Sequence, residues 1–384
     1  MSNILINALG IQDSGGLTIL KKTIQELLFD SENNYQILVF KGKYIDDLID
    51  KSNNYSNISF RIIKNKGNNR RLIYENFILP FYVKKNRFKL IYNMTGSDQP
   101  LINIPSIVKI QNLMFFSKTL DSAYFKNNLR FLWFTQVYMK RVVLILLMSL
   151  TKNIEIQSIH VKSELSNFIS LGNKNFFIKN DFPMNINVFL KPKNYNFTKE
   201  IIFLYVVGPH FWKVHKNFKD FLDTMIVLLD SNVNFLIKIT LTREDLEESD
   251  LWDKRLNIVT IFLGYISIKD EMQSLYDDNV VLISTSIIET LGLHVTDAVG
   301  HGILTIVPNE PYAVEVYGSY TFTYDLFNHH SLIETINKMK GYNNTDCEKM
   351  ILNNQNYLFN NESDKYIKSH HIFKDVLKKL ESNV

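Results

Sequence analysis

Two carboxylates eight residues apart, Glu289 and Asp297, sit in the stretch Ser284-Thr-Ser-Ile-Ile-Glu289-Thr-Leu291-Gly292-Leu-His294-Val-Thr-Asp297. They straddle a Gly-Leu turn and the start of a predicted helix, and a further strand run follows Gly302. The spacing lets one carboxylate lie in a crevice beside a helix N-terminus while the other, one turn in, points the same way. Ionised carboxylates only accept hydrogen bonds, so such a pair suits the vicinal hydroxyls of a sugar and a ribose better than it suits a metal.

A cationic loop, Gly208-Pro209-His-Phe-Trp-Lys213-Val-His215-Lys216-Asn217, lies between an apolar strand run and a helix predicted over 218–229. Lysines at the carboxyl end of a parallel strand are placed to hold an anion; a solvated loop with Asn217 as helix cap is the other use of the same residues. Near the start, Gly10-Ile-Gln-Asp-Ser-Gly15-Gly16 follows the first apolar run and opens the first helix. Glycines admit close approach of a ligand, and the helix start offers free N–H groups to a phosphate or a sugar. The spacing fits neither G-x-G-x-x-G nor a Gly-Lys-Ser/Thr phosphate loop, and a tight turn accounts for these glycines equally well.

Strand-length apolar runs alternating with helix-period stretches must carry these residues, the pattern of βαβ units and parallel sheets. The first series is 3–9, 35–40, 58–63, 89–94, 106–112, 158–161 and 176–179; the second is 201–207, 233–240, 258–263, 280–284 and 303–307. Between them, Leu190-Lys-Pro-Lys-Asn-Tyr-Asn-Phe-Thr198 has no period and suits a linker. A last helix is predicted over 362–380. The apolar stretch Phe131–Leu150 carries Lys140 and Arg141 at its centre. Each central cation costs roughly 2.5–3.5 kcal/mol to insert in a bilayer, so a buried helix of the first domain is expected, an interfacial helix being the alternative.

The 384 residues have average globular composition, 46% hydrophobic and 21% charged, which argues against disorder or coiled coil. The formal charge of +4 hides an asymmetry: residues 1–190 carry 24 Lys and Arg against 13 Asp and Glu, and residues 191–384 carry 19 against 26. Basic residues are densest from Arg61 to Lys89, which suits an anionic membrane surface or a solvated face. The single Cys347 cannot form an intramolecular disulfide, and the N-terminus reads as a strand rather than a signal peptide, so a cytoplasmic setting is expected.

Read together, these pieces resemble the GT-B-fold retaining glycosyltransferases of the family 4 type, which build bacterial surface polysaccharides. Their hallmark, Glu-x7-Glu within Pro-Ser-x-x-Glu-Gly-Phe-Gly-Leu-Pro-x-x-Glu-Ala, aligns with Ser284 to Ala298. The Gly15-Gly16 loop, the strand end Val108-Lys-Ile-Gln111-Asn112, Val161 to Glu164, His215-Lys216-Asn217, and Gly264-Tyr265 followed by Leu275-Tyr276 extend the match over nearly the whole chain. The chain departs from the family at Asp297 for the second glutamate, His294 for the turn proline and Pro209 for the arginine of Gly-Arg.

The resemblance implies two Rossmann-like domains with parallel sheets facing across a cleft: an acceptor domain over 1–188, a nucleotide-sugar domain over 189–360, and a C-terminal helix over 361–384 returning to the first. Glu289 would hold donor-sugar hydroxyls, Asp297 the ribose, and Lys216, with Lys213, the diphosphate. Amides near Gly15, Gly16, Leu291 and Gly292 would complete the cradle, and Gln111 or Asn112 would line the sugar side. It further implies metal-independent, retaining transfer from a nucleotide-sugar to a lipid-linked or polysaccharide acceptor, with the basic domain touching the inner face of the cell membrane. An epimerase on the same fold and a non-catalytic partner subunit are the rival readings. No Asp-x-Asp follows a strand, the His329-His330 and His370-His371 pairs lack zinc spacing, no Gly-x-Ser-x-Gly elbow occurs, and no nucleic-acid module accompanies the basic half.

Overall fold

The computed structural model describes residues 1–11, 14–52, 55–64, 67–182, 189–208, 210–266, 274–363 and 367–381; Pro209 and Lys66 lie outside them. The chain divides into two compact units. One comprises Met1–Phe116, Phe131–Asp181 and the C-terminal segment with the helix Ser369–Glu381; the other comprises Ser117–Arg130 and the chain from Phe182.

In the first unit the strands are β1 (Ser2–Asn7), β2 (Asn33–Phe40), β3 (Ile58–Ile63), β4 (Leu90–Asn93), β5 (Ser106–Lys109), β6 (Asn153–Ile156) and β7 (Asn175–Ile178). Among the described residues they form one sheet in the order β3-β2-β1-β4-β5-β6-β7, parallel at every pairing. The central strands β1 and β4 are buried nearly end to end, as a sheet covered on both faces requires. The run predicted as a strand over 158–161 instead opens the helix Ile159–Ser166, and the strand lies just before it at β6. The sequence signal failed there because Glu155 interrupts the apolar run.

Glu155 is accommodated by a buried ionic cluster at the carboxyl ends of β5, β6 and β7. Lys109 pairs with Glu155 and, at 2.6 Å, with Asp181; Lys179 reaches Asp181 and Glu26, each at 3.0 Å. Tyr92 donates to both Glu155 oxygens at 2.9 Å. The C-terminal helix completes the cluster: Ser369 Oγ accepts from Lys179 Nζ at 2.9 Å and its amide donates to Glu26 at 2.9 Å. Phe373 of that helix packs edge-on to Tyr92 with ring centroids 4.9 Å apart.

The continuous helix from Arg130 to Leu150 overturns the expectation of a buried core element. Of its apolar window only 17% is buried. The face on the sheet is held by Val137, Met148 and, unexpectedly, Arg141, whose Nε donates to the Phe115 carbonyl at 2.6 Å and whose guanidinium lies 4.6 Å over the Phe168 ring.

In the second unit the strands are β8 (Ile201–Tyr205), β9 (Phe235–Ile239), β10 (Thr260–Phe262), β11 (Val280–Ile283), β12 (Leu304–Pro308) and β13 (Phe322–Tyr324). Their order is β10-β9-β8-β11-β12-β13, again all parallel among the described residues. Both orders repeat the 3-2-1-4-5-6 arrangement of Rossmann sheets. β13 escaped the sequence reading because Phe322-Thr-Tyr324 is too short to show a period.

Two sequence expectations about boundaries change. Residues 117–130 group with the second unit, where Leu120, Ala123 and Tyr124 of the helix Lys118–Lys126 are buried and the helix packs on the 214–216 turn. The supposed linker 190–198 is strapped to that unit: Leu190 and Lys193 amides donate to the Gly300 and Gly302 carbonyls, each at 2.8 Å, and the buried Tyr195 hydroxyl donates to the Val280 carbonyl at 2.8 Å.

Candidate functional site

In each sheet the strand order reverses at one point, between β1 and β4 and between β8 and β11, and ligands of open α/β sheets commonly bind among the loops that leave the strands at such a point. In the second unit the loop after β8 carries Lys213 and Lys216, and the loop after β11 carries Ser284 to Gly292. The topology therefore brings together a lysine and a carboxylate 73 residues apart: Lys216 Nζ donates to Glu289 Oε1 at 2.7 Å. Their side chains stay 26% and 18% exposed, so the pair is accessible to a ligand.

Local packing fixes both partners. Lys216 ends a one-turn helix, Val214–Lys216, after which Asn217 takes a left-handed conformation. The carbonyl of Lys216 accepts from Thr285 Oγ1 at 2.8 Å, and the Ile287 amide donates to the His215 carbonyl at 2.8 Å, stitching the two loops together. Asn217 donates to Asp220 at 2.6 Å, in place of a simple cap on the helix Phe218–Asp230.

Glu289 is a firm anion. Burial works to raise its pKa, but the charge of Lys216, that of the His294 imidazolium in acid, and hydrogen bonds from Lys216 and Ser286 outweigh it and hold the carboxyl at about 2. His294 and His215 are lowered as well, to about 4 and about 3, but chiefly through burial, which disfavours the charged imidazolium. Both imidazoles are neutral near pH 7, so neither adds positive charge. The His294 ring makes a 2.9 Å hydrogen bond to Ser284 Oγ, a polar contact that proline at this position could not make.

Beyond Glu289 the chain turns at Gly292, φ +56°, into the helix Leu293–Gly300, whose N-terminus adds a positive dipole end beside the Lys216–Glu289 pair. A Cβ at Gly292 would lie 1.7 Å from the Tyr317 hydroxyl, which is buried without a hydrogen-bond partner. Gly292→Ala is therefore expected to destabilise this unit by about 1–3 kcal/mol from the left-handed backbone alone, with Tyr317 displaced as well. A thermal melt matching wild type would contradict this.

One turn into the helix, Asp297 accepts from the Tyr276 hydroxyl at 2.8 Å, and His301 stacks on Tyr276 at 4.3 Å with its Nδ1 3.8 Å from the carboxylate. Tyr276 as the partner of Asp297 was not foreseen, since nothing in their spacing of 21 residues signals contact. A separate concavity of about 450 Å³, lined by Lys118, Lys126, Asn309, Glu310, Asp325 and Phe327, includes neither Lys216 nor Glu289.

The remaining candidates cluster in the first unit. Gly15 and Gly16 open the helix Ser14–Leu27 after β1, and a Cβ on Gly16 would lie 3.6 Å from Gln111 Oε1, so that loop and the end of β5 adjoin. Asn112 is exposed and accepts from the Met114 amide at 2.8 Å, which gives it a role in the turn. Beside them, Arg71 pairs with Glu75 at 3.1 Å, and its Nη1 lies 2.6 Å from where a Gly10 Cβ would be. Arg71 thus belongs to the loop after β1 rather than to a basic outer surface. Arg61 is likewise engaged, 4.0 Å over the Tyr82 ring.

No protein-family model matches the sequence, and no curated protein does. Solved structures match it over almost its entire length. A glycosyltransferase from Rickettsia africae is 15% identical with a TM-score of 0.65, over 98% of this chain and 99% of that one. HepE of Anabaena, solved in complex with UDP and glucose, is 12% identical with a TM-score of 0.64, over 100% and 99%. The lipopolysaccharide outer core galactosyltransferase WaaB is 15% identical with a TM-score of 0.59, over 96% and 100%. The chain has the α/β fold with two Rossmann-like parallel-sheet domains of GT-B proteins.

Proposed function

We propose that this protein is a retaining glycosyltransferase that moves a sugar from a nucleotide-sugar donor to a lipid-linked or polysaccharide acceptor in bacterial surface glycan assembly. The observation that carries the reading is the accessible Lys216–Glu289 pair at the switch point between β8 and β11, beside the N-terminus of the helix Leu293–Gly300. A nucleotide diphosphate-sugar needs a cation and helix amides for its diphosphate and an acceptor-only group for its hydroxyls. Similarity to HepE, which was solved with UDP and glucose, supports a donor of this class.

In this reading Lys216, with Lys213 and the Leu291 and Gly292 amides, neutralises the diphosphate, Glu289 holds the sugar hydroxyls, and Asp297, oriented by Tyr276, binds the ribose. Within the first unit, Gly15, Gly16, Gln111 and Asn112 lie at the carboxyl ends of β1 and β5, where the free N–H groups of the helix Ser14–Leu27 suit a hydroxylated ligand. The bond from the anomeric carbon to the phosphate oxygen breaks as the acceptor oxygen bonds on the same face. The acceptor proton passes to the departing phosphate, so catalysis is positioning and charge stabilisation and calls for no metal.

A thermal-shift panel of UDP-, GDP- and dTDP-sugars tests the donor class. A true donor at one hundred times its Kd adds about 2.7 kcal/mol of stability, and no shift with any of them would sink the reading. Proton NMR of the product then reports whether the anomeric configuration is kept.

A further inference from the structure

The helix from Arg130 to Leu150 carries apolar side chains on its outer face as well as on its inner one. Its buried stripe contains an arginine, while Phe131, Met139, Val143 and Leu146 point outward at 81%, 54%, 56% and 62% exposure. The helix running from Asn68 to Lys85 through a π turn does the same with Phe77 and Phe81, 63% and 77% exposed.

The topology puts both on one side of the first unit. Each lies in a parallel crossover leading the same way along the sheet, β3 to β4 and β5 to β6, and right-handed crossovers in one direction share a face. The C-terminal helix packs against the helix Ser14–Leu27, which crosses in the opposite direction from β1 to β2 and so covers the other face.

Charge identifies the occupant. The two helices expose Arg70, Lys84, Lys85, Arg130 and Lys140. Their one acidic residue, Glu75, is buried against Arg71. We propose that this face seats on an anionic lipid bilayer, the apolar side chains entering the acyl boundary and the lysine and arginine heads remaining among the headgroups. A protein partner of ordinary composition offers no comparable excess of negative charge over so apolar a contact, whereas an anionic leaflet offers both. The surface deepens the acceptor part of the proposed function but does not depend on the sugar chemistry.

The test is co-sedimentation of the full chain with phosphatidylglycerol vesicles, with phosphatidylcholine vesicles for comparison. Wild type is expected to bind the anionic vesicles and to release as salt rises. Phe77→Gln with Phe81→Gln, or Val143→Gln with Leu146→Gln, is expected to weaken binding about tenfold; Lys84→Gln with Lys85→Gln should weaken it and flatten the salt dependence. All six positions are exposed, so unchanged melting curves and donor shifts certify the fold and leave the transferase reading separately testable. Failure of wild type to bind anionic vesicles overturns the proposal, as does binding that both apolar pairs leave intact. A lipid-free dimer dispersed by the same substitutions would reassign the face to a second copy and overturn it too.

Discussion

Glu289→Gln is expected to lower sugar transfer by about 10²–10³-fold while leaving the fold in place. The amide keeps the shape and still accepts from Lys216, so packing around the turn at Gly292 is preserved. What is lost is a fixed negative charge held at a pKa of about 2, available to receive donor hydroxyls at any physiological pH. Initial rates with donor and acceptor, alongside a thermal melt, make the check; a near-normal rate would place the chemistry elsewhere. The depressed pKa also has a sign: the pair's stabilisation is complete above the unfolded value of about 4.3 and is lost as pH falls through about 2. His294 and His215, displaced to about 4 and 3, stay neutral in the folded protein between pH 5 and 8, but an unfolded imidazole takes up its proton near 6.5, so each lowers stability as pH falls below that value.

The largest stability effect is expected at Lys179. Replacing it with methionine leaves Glu26 and Asp181 buried with part of their compensation gone, and removing one member of a buried ion set typically costs about 3–5 kcal/mol. Urea unfolding followed by circular dichroism reads the loss. Lys374→Met, which removes from the C-terminal helix the partner of the exposed Glu32 that precedes β2, should leave the curve nearly unmoved, because solvent already screens that contact. Equal effects from the two substitutions would deny the cluster its role. Lys109 and Lys179 hold the Asp181 carboxyl well below the ordinary carboxylate range despite its burial. Its contribution is therefore complete above about pH 4 and disappears in stronger acid, whereas Lys179, raised by its carboxylate neighbours, keeps its contribution until strongly alkaline pH.

Much of this was legible before the structure. β3 matched the apolar run 58–63 residue for residue, and the loops bearing Gly16, Lys216 and Glu289 fell at strand ends as anticipated. What resisted reading depended on contacts distant in sequence. Asn153-Ile-Glu-Ile156 looks unlike a core strand until Lys109 and Tyr92 arrive to satisfy Glu155. The 130–150 helix is apolar on every side, so no period could tell which stripe the sheet would take or that the sheet would choose the one with Arg141. Asp297 could be singled out as a carboxylate, but not the Tyr276 hydroxyl that orients it.

The bond from Lys179 to Ser369 joins residues 190 apart in the chain. A ribosome adding about 5–20 residues per second delivers Ser369 some 10–40 s after Lys179. During that interval the first sheet has its strands but not the helix that covers Tyr35 and Tyr92 or the hydroxyl that completes its ionic cluster. The amino-terminal unit is thus completed only once the helix Ser369–Glu381 has been made, and a chain stopped short of 369 would leave Tyr35 and Tyr92 without the ring of Phe373 and the ionic cluster without the Ser369 hydroxyl.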